Sequence, residues 1–341
     1  MLKFANMMTD LGHEVFVYGG ERCDARCKES VTIVSKAQRE EWFKRYNWET
    51  DVFNGWDSNA VWWRHMNIAA SAEILRRSRP GDFACIISGY CQQMLSDLGL
   101  PAVEWGVGYQ GVLPNTHRCF ESYAWLHHLA AKEPQDDIRF FDTVIPNSFE
   151  VADFPAGNGG GDFVFLGRLI HRKGPHIAAE ACNALGARLT LAGQGVNQRE
   201  SGVGRVVGQD GVIVEGQVNH IGRVNPQERA KLLGQAKAVF VPTLYLEPFG
   251  GVAVEAMLCG TPVITTDHGA FTEYVENGFN GFRCRTLADF VRAAELSPCL
   301  DRAAIRAWAI KRFSTDAIAP KYEAWFRQLQ TLGGEGWYDL S

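Results

Sequence analysis

The sequence predicts an α/β protein with two doubly wound parallel sheets that face each other across a cleft. Short apolar runs typical of buried strands alternate with helical patterns, and this alternation begins again after a Gly-rich stretch around residues 151–161 (DFPAGNGGGD). A chain of 341 residues is long enough for two domains of ~100–200 residues each. In sheets of this class, ligands bind at the carboxyl ends of the strands.

The first domain is expected over residues 1–150. Apolar residues from Leu2 to Leu11 recur at helical spacing, and Gly12 follows as a helix C-cap. A second helical pattern covers 67–77, and apolar runs predict strands at 14–18, 83–88, 102–105 and 143–145. The domain therefore begins with a helix and has no predicted strand before it.

The second domain is expected over residues 151–315, with the Gly-rich stretch as the linker. Strands are predicted at 163–166, 188–192, 238–241 and 262–265, and helices at 175–185, at 226–236 and from Gly251 onward. Residues 316–341 are predicted to form a C-terminal helix and tail that pack back across both domains, because the helix carries Tyr322, Trp325 and Phe326.

Composition excludes several classes of protein. The formal net charge of -5, without a clustered basic face, argues against a nucleic-acid-binding protein. Cys23 and Cys27 are the only closely spaced cysteine pair, and no second pair completes a zinc site. There is no signal peptide and no apolar run of the ~20 residues that a membrane span needs, so a cytoplasmic protein is expected, and peripheral membrane contact is compatible with this.

Two basic residues follow the strand predicted at 163–166. In FVFLGRLIHRKGPH, the strand ends at Gly167, Arg168 and Lys173 follow on a short loop, and a helix begins at Pro175. Cations at the carboxyl end of a strand, beside a helix N-terminus, suit a phosphate group. A solvated basic loop is the alternative interpretation.

The stretch LEPFGGVAVEAM places two carboxylates around bare backbone. Pro248 keeps Glu247 on the loop, and Gly250 and Gly251 let the backbone of a helix N-terminus approach a ligand. Glu255 follows inside the helix, where it suits a vicinal diol such as that of ribose. The pattern fits a diphosphate between two polyols. The alternative is that both glutamates only offset the helix dipole, at ~0.3–1 kcal/mol each.

Four segments resemble the retaining nucleotide-sugar glycosyltransferases of family 4, which have the GT-B fold of two Rossmann-like domains. They are GRLIHRKG (167–174), LAGQG (191–195), EPFGGVAVEAMLCGTPVI (247–264) and GAFTEYVENGFNGF (269–282). The resemblance implies a hexosyltransferase of carbohydrate biosynthesis. Its donor would be a nucleotide-diphosphate sugar, and its acceptor a glycan, a lipid-linked glycan or a small molecule. It also implies that no cofactor or metal is needed, and no D-x-D metal motif is apparent.

The resemblance also assigns roles to individual residues. Arg168 and Lys173 would neutralise the donor diphosphate, Glu247 would contact the donor sugar, and Glu255 would hold the ribose. Arg168, Lys173 and Glu247 are the expected catalytic residues. The expected donor site adds glycines and backbone amides, namely Gly167, Gly193, Phe249, Gly250, Gly251 and Val252. Nothing in the sequence fixes the nucleotide base, for which the stretches 193–195 and 221–224 are candidates.

The N-terminal half departs from the family in two ways. Family members usually begin with a strand and a Gly-rich loop, which are absent here, so a truncated or divergent first domain is expected. A catalytically silent GT-B protein that binds a nucleotide sugar or glycan is the second functional hypothesis for this reason. Many members also carry a histidine that faces the sugar. The sequence has Gly108 and Tyr109 near that place, with His117, His127 and His128 as further candidates.

The glycines of VEWGVGYQG also spell G-x-G-x-x-G, the motif of dinucleotide-binding proteins. Gly106, Gly108 and Gly111 follow a predicted strand, but Pro114 stands where the phosphate-binding helix should run. The sequence therefore favours an interdomain loop over a dehydrogenase or epimerase site.

Overall fold

The computed structural model of the chain describes residues 2–21, 23–47, 55–133, 137–197 and 204–332. Contacts divide these residues into two compact units. Unit 1 contains the described residues of 1–121, 128–146 and 318–341, and unit 2 contains those of 122–127 and 147–317. The predicted domain boundaries at 150/151 and 315/316 lie a few residues from the two main divisions, at 146/147 and 317/318.

Unit 1 contains two separate parallel sheets. Strand β1 (Phe16–Gly20) pairs with β2 (Glu29–Val34), and a second sheet has the order β3 (Ala84–Ile86), β4 (Ala102–Val107), β5 (His117–Phe120), β6 (Thr143–Val144). The helices are α1 (Leu2–Asp10), α2 (Lys36–Trp42), α3 (Val61–Arg77) and a 3₁₀ helix at Gly89–Asp97; α4 (Tyr123–Ala130) begins in unit 2 and ends in unit 1. The predicted opening helix is confirmed, and Gly12 follows it with φ 93°.

Unit 2 is built on a six-stranded parallel sheet. Its strand order is β11 (Val218–His220), β8 (Leu189–Ala192), β7 (Phe163–Leu166), β12 (Val239–Val241), β13 (Val263–Thr266), β14 (Gly281–Cys284), and β9 (Arg205–Val207) with β10 (Ile213–Glu215) forms a small antiparallel pair. The helices are α5 (Pro175–Ala184), α6 (Pro226–Gln235), α7 (Gly251–Leu258), α8 (Phe271–Tyr274), α9 (Leu287–Leu296) and α10 (Arg302–Phe313), with short 3₁₀ helices at Val151–Asp153, His171–Lys173 and Ser297–Cys299.

The central strands of unit 2 are buried on both faces. Phe163 and Phe165 point into a cluster with α5 and α9, whereas Val164 points into a second cluster with α6, α7 and α10. This alternation is what a parallel sheet covered by helices requires, and it explains why these strands read as continuous apolar runs. The elements predicted for this half of the chain are therefore confirmed to within one or two residues.

The Gly-rich stretch is not a linker between the units, so that prediction is wrong. Phe154 is buried in the core of unit 2, and the amide of Gly157 donates to the Cys259 carbonyl at 2.9 Å. A Cβ at Gly157 would lie 2.0 Å from the carbonyl oxygen of Gly234 on α6. The glycines let this segment lie against helix backbone, which is a packing role and not a flexible one.

The C-terminal helix α11 (Thr315–Gln330) belongs to unit 1 from Ile318 onward. Its residues Tyr322, Trp325 and Phe326 pack in one cluster with Phe4 of α1, and the tail at 333–341 lies outside the described residues. Among the described helices, none is long and apolar enough to cross a membrane.

Candidate functional site

The candidate site of unit 2 lies where β7 and β12 end and α7 begins. A small cavity of about 50 Å³ at this point is lined by the strand residues Leu166 and Val241 and by five of the residues predicted from sequence: Lys173, Glu247, Gly250, Gly251 and Val252. The carboxyl edge of the sheet therefore holds the predicted donor-binding residues, as the doubly wound arrangement requires.

The N-terminus of α7 depends on two glycines for different reasons. Gly250 has a left-handed backbone (φ 81°, ψ 51°), and a Cβ there would lie 2.4 Å from the Phe271 ring. A Cβ at Gly251 would meet no atom within 4 Å. Of the two glycines, only Gly250 is required by the chain itself, and Gly251 leaves open space at the first turn of the helix, where the Ala253 amide donates to the Gly250 carbonyl at 2.9 Å.

The short helix α8 fixes the loop that leads into α7. The Tyr274 hydroxyl donates to the Phe249 carbonyl at 2.5 Å and contacts the Gly250 carbonyl at 3.2 Å. The neighbouring Glu273 accepts from the first amides of α4, those of Tyr123 and Ala124, at 3.1 and 2.7 Å. Phe249 itself is buried in the core, so its ring does not face a ligand.

Lys173, Tyr245 and Glu247 form one hydrogen-bonded group. The Lys173 ammonium lies 3.2 Å from Oε2 of Glu247 and also donates to the Tyr245 hydroxyl. That hydroxyl donates to the same Oε2 at 2.7 Å. Desolvation, followed by the charge of Glu247, raises the pKa of Tyr245, so the phenol keeps its proton and remains a donor.

Two arginines surround this group. The Arg172 guanidinium lies over the Tyr245 ring at 4.4 Å from its centroid, a cation–π arrangement. Arg168 is exposed, its charge also acts on Tyr245, and its guanidinium has no hydrogen bond or ion pair within the described part of the chain. Three cations therefore stand around Tyr245, and one of them, Lys173, lines the cavity at the N-terminus of α7, which favours an anion.

Glu255 lies in the fifth position of α7, inside the helix as predicted, and is 9% exposed. Its Oε1 lies 3.4 Å from the guanidinium of Arg229 on α6. The ion pair fixes the carboxylate at the side of α7 that faces α6. A ribose at Glu255 would therefore lie beside Arg229, a residue outside the sequence motifs.

Gly167 and Gly193 lie together at the ends of β7 and β8. Gly193 has φ 142°, and a Cβ there would lie 1.9 Å from the Gly167 carbonyl oxygen. The Gly193 amide also donates to the Gly222 carbonyl at 2.8 Å, which joins the two stretches predicted to bind the base. Close packing alone is enough to require glycine at 193, so direct ligand contact by Gly167 or Gly193 stays a prediction.

The glycines of the G-x-G-x-x-G stretch shape a loop in unit 1 and do not begin a helix. The loop surrounds Glu104, a fully buried carboxylate that accepts from the Leu113 amide at 2.7 Å, the Tyr109 hydroxyl at 2.8 Å and the Thr116 hydroxyl at 3.0 Å. A Cβ at Gly108 would lie 2.2 Å from the Glu121 carboxylate, so a side chain at this position would require Glu121 to move. No helix lies between β4 and β5, a stretch that the structure describes throughout, so the geometry argues against a dinucleotide-binding motif.

The three candidate histidines occupy different places. His117 is half-buried on β5, its ring lies edge-on to Phe141, and desolvation followed by the charge of Arg139 lowers its pKa. His127 and His128 lie on α4, and desolvation lowers the pKa of His128. A catalytic role for any of the three stays a prediction.

Sequence reasoning missed Tyr245, Arg172 and Arg229 as members of the site. Tyr245 lies two residues before Glu247 and Arg172 lies beside Lys173, so proximity in sequence was an available signal for both. Arg229 had no such signal, because only the packing of α6 against α7 brings it to Glu255.

The second half of the chain matches a known family. Residues 151–295 match the model of the family described as glycosyl transferases group 1. Over 159 residues the chain is 33% identical to a glycogen synthase of Mycobacterium tuberculosis, covering 42% of this chain and 36% of that protein. It is 29% identical over 182 residues to a D-inositol 3-phosphate glycosyltransferase of Arthrobacter, covering 51% and 41%. The chain thus spans well under half the length of these curated relatives.

Solved structures resemble the chain over nearly its whole length. A glycosyltransferase involved in avilamycin A biosynthesis superposes with TM-score 0.64 at 21% identity, covering 96% of this chain and 89% of that one. A sucrose-phosphate synthase of Thermosynechococcus elongatus gives 0.66 at 17%, covering 97% and 92%. The Anabaena protein HepE, solved with UDP and glucose, gives 0.61 at 17%, covering 97% and 95%. The expected fold is confirmed: the chain has the GT-B fold, and the resemblance to glycosyltransferases holds.

Proposed function

We propose that this chain, whose residues 151–295 form a group 1 glycosyltransferase domain within a GT-B fold, transfers a hexose-type sugar from a nucleotide-diphosphate sugar with retention and without a metal. Its acceptor would be a glycan, a lipid-linked glycan or a small molecule. The observation that carries the proposal is the joining of Lys173, Tyr245 and Glu247 at the N-terminus of α7, beside the open backbone of Gly251.

The arrangement suits each part of such a donor. The diphosphate would lie at the first N–H groups of α7, within reach of Arg168, Arg172 and Lys173. Glu247 would accept hydrogen bonds from sugar hydroxyls, and Glu255 from the ribose diol. UDP-glucose is the first donor to test, because the Anabaena neighbour was crystallised with UDP-glucose as well as with UDP and glucose.

The reaction would proceed by loss of the nucleoside diphosphate from the anomeric carbon. The C1–O bond breaks with its electron pair going to the diphosphate, and an oxocarbenium-like sugar remains. The three cations and the helix N-terminus stabilise the leaving charge, and a well-placed donor of this kind typically contributes ~3–4 kcal/mol. The acceptor hydroxyl then attacks on the same face, and its proton ends on the diphosphate. Glu247 positions the sugar and is not the base.

Charge removal at the site tests the assignment. Lys173→Ala and Arg168→Ala should lower the turnover of UDP-glucose by at least tenfold, since each removes ~1.4 kcal/mol or more of transition-state stabilisation. Arg188→Ala is the matched control. Arg188 immediately precedes β8, so it lies at the amino end of the sheet, where it pairs with Asp162. Equal turnover in all four proteins, with unchanged melting temperatures, would remove the basis of the proposal.

The same assay distinguishes an active transferase from a catalytically silent protein that only binds the nucleotide sugar. UDP-, GDP- and ADP-sugars are offered with and without a glycan acceptor, and binding is followed by thermal shift. A donor at a hundredfold excess over Kd should stabilise the fold by ~2.7 kcal/mol. Binding without hydrolysis or transfer of any donor would favour a nucleotide-sugar-binding protein without catalytic activity.

A further inference from the structure

Three aromatic rings gather around the loop that follows β4 in unit 1. The indole of Trp56 lies 5.3 Å from the Tyr109 ring, measured between ring centroids, and a Cβ at Gly111 would lie 2.9 Å from the Tyr90 ring. Trp56 is 57% exposed and Tyr90 is 54% exposed. Tryptophan is highly buried on average in proteins, so an indole this exposed, with a second exposed ring on the same loop, marks a candidate binding surface.

This aromatic surface, formed by Trp56, Tyr90 and Tyr109, lies at the carboxyl ends of two parallel strands. Tyr90 lies on the 3₁₀ helix that follows β3, and Tyr109 lies in the loop that follows β4. Gly55, the neighbour of Trp56, accepts a hydrogen bond from the Cys91 thiol of the same 3₁₀ helix at 3.7 Å. Sheets of this class bind ligands at their carboxyl ends, so the aromatic surface lies where a ligand of unit 1 is expected.

Hydrogen bonds hold the two rings that contact each other. The Gly55 carbonyl accepts from the indole N–H of Trp63 at 2.6 Å, which fixes the backbone that carries Trp56. The Tyr109 hydroxyl donates to the buried Glu104 carboxylate at 2.8 Å, which fixes the ring against which Trp56 lies. Because the surface is largely preformed, a ligand that stacks on it has little side-chain ordering to offset.

The charges around the rings favour a neutral ligand. The two segments that carry the rings, residues 55–63 and 88–111, contain three acidic residues and no lysine or arginine. A surface that binds anionic lipid headgroups or charged glycans would need cations. The C–H faces of a neutral sugar ring can pack on aromatic rings, and the exposed side chains of Asp57 and Gln110 offer hydrogen-bonding groups for its hydroxyls.

We propose that the aromatic surface is a saccharide-binding subsite, on which Trp56 and Tyr90 stack the rings of a neutral oligosaccharide. The inference rests on the proposed function, because it names the class of acceptor for that reaction. Among the glycan, lipid-linked and small-molecule acceptors considered above, it selects those that present an uncharged oligosaccharide. Trp56 is then a specificity-determining residue that acts on the acceptor.

Binding of neutral trisaccharides to the full chain tests the proposal. Trisaccharides of glucose, mannose and galactose are titrated without a nucleotide sugar, and binding is followed by saturation-transfer NMR. The wild type should bind at least one of them, and Trp56→Ala should raise its Kd by about tenfold or more, which corresponds to ~1.4 kcal/mol. Trp56→Phe keeps an aromatic ring and should raise the Kd less.

Phe140→Ala is the matched control. Phe140 is 73% exposed and belongs to unit 1, but it precedes β6, whereas the aromatic surface follows β3 and β4. It therefore lies at the opposite edge of the same parallel sheet. This variant removes an exposed ring of unit 1 and should bind the trisaccharide with the Kd of the wild type.

Three outcomes would overturn the proposal. The first is a wild type that binds none of the trisaccharides, and the second is an equal Kd in the wild type and Trp56→Ala. The third is Trp56-dependent binding to phosphatidylglycerol vesicles without binding to any trisaccharide, which would assign the surface to a membrane. If Trp56→Ala does not fold, Tyr90→Ala gives the same comparison.

These failures are distinguishable from failure of the proposed function. The binding assay contains no nucleotide sugar, so its result does not depend on the donor site of unit 2. The proposed function is judged separately, by turnover of UDP-glucose in the wild type and in Lys173→Ala.

Discussion

Tyr245→Phe removes a single oxygen from the candidate site and should lower activity without unfolding the protein. The Tyr245 hydroxyl donates to Oε2 of Glu247 at 2.7 Å, and the ring that stays behind keeps its contact with the Arg172 guanidinium. A hydrogen bond to a charged group contributes ~1.5–3 kcal/mol. Lys173 remains 3.2 Å from the same oxygen, so Glu247 keeps one partner and the lower end of that range applies.

The expected loss is therefore ~1.5–2 kcal/mol of transition-state stabilisation, or about 10- to 30-fold in kcat/KM. The measurement is initial-rate hydrolysis or transfer of the donor that gives the largest thermal shift. Tyr123→Phe is the matched control, because it removes the same oxygen from a tyrosine that is 57% exposed. The melting temperature of both variants should stay within a few degrees of that of the wild type.

A double-mutant cycle tests whether the hydroxyl acts through the carboxylate. If Tyr245 works only by positioning Glu247, then Tyr245→Phe should cost little more in a Glu247→Gln background. Full kcat/KM in Tyr245→Phe, or fully additive losses in the double variant, would refute the reasoning that makes these two residues one functional group.

Three further predictions concern glycine, a buried carboxylate and pH. Gly250→Ala should lower the melting temperature strongly because its φ is 81° and its Cβ would meet Phe271, whereas Gly251→Ala should melt normally and bind nucleotide sugars more weakly in a thermal-shift assay. Glu104→Ala should destabilise unit 1 by at least ~2 kcal/mol in thermal melting, since the Leu113 amide and the half-buried Tyr109 hydroxyl lose their acceptor and the Thr116 hydroxyl keeps only the Leu113 carbonyl. The folded-state pKa of His117 is lowered, so the unfolded chain binds its proton more readily. The free energy of unfolding should therefore fall as the pH drops below ~6.5, the ordinary histidine pKa. In His117→Asn the difference in this free energy between pH 7.5 and pH 5.5, measured by urea unfolding, should be smaller than in the wild type.

Each of these has a clear contrary result. Equal melting temperatures for the two glycine variants would contradict the packing argument. For the carboxylate, the reference is Glu133→Ala, which alters an exposed side chain, and a similar shift in both variants would show that Glu104 is not a structural acceptor. For the histidine, an unchanged pH dependence in His117→Asn would assign the loss to other groups.

Much of unit 2 could be predicted because its strands are apolar on both faces. In unit 1, strand β5 could not be predicted, because its sequence HRCF contains a histidine and an arginine. Only the structure shows that Arg118 is buried against Asp142 at 2.5 Å. The Gly-rich stretch at 151–161 was wrongly predicted to be a linker because its composition fits two different structures. Flexible linkers and close backbone packing both select glycine, and the choice between them depends on Gly234, which is far away in sequence.

The candidate site, too, could be predicted from the sequence only in part. Motif spacing was enough to place Glu247 and Lys173 at one point, because both stand at strand ends of one parallel sheet. It could not show that Tyr245 joins them, since hydrogen bonding between loops depends on side-chain direction. Nor could it separate Gly250 from Gly251, which look alike in the sequence and differ only in backbone angle and surroundings.

The short helix α8 gives the protein an intrinsic optical reporter. Tyr274 holds the carbonyls at the start of α7, and the adjacent Glu273 holds the first amides of α4, on which Trp125 is buried. A ligand that binds at the α7 N-terminus should therefore change the contacts of α8. Because α8 also contacts α4, the change should reach the environment of Trp125. Occupancy of the site should then be readable as a change in tryptophan emission that Trp125→Phe abolishes, with no label attached to the protein.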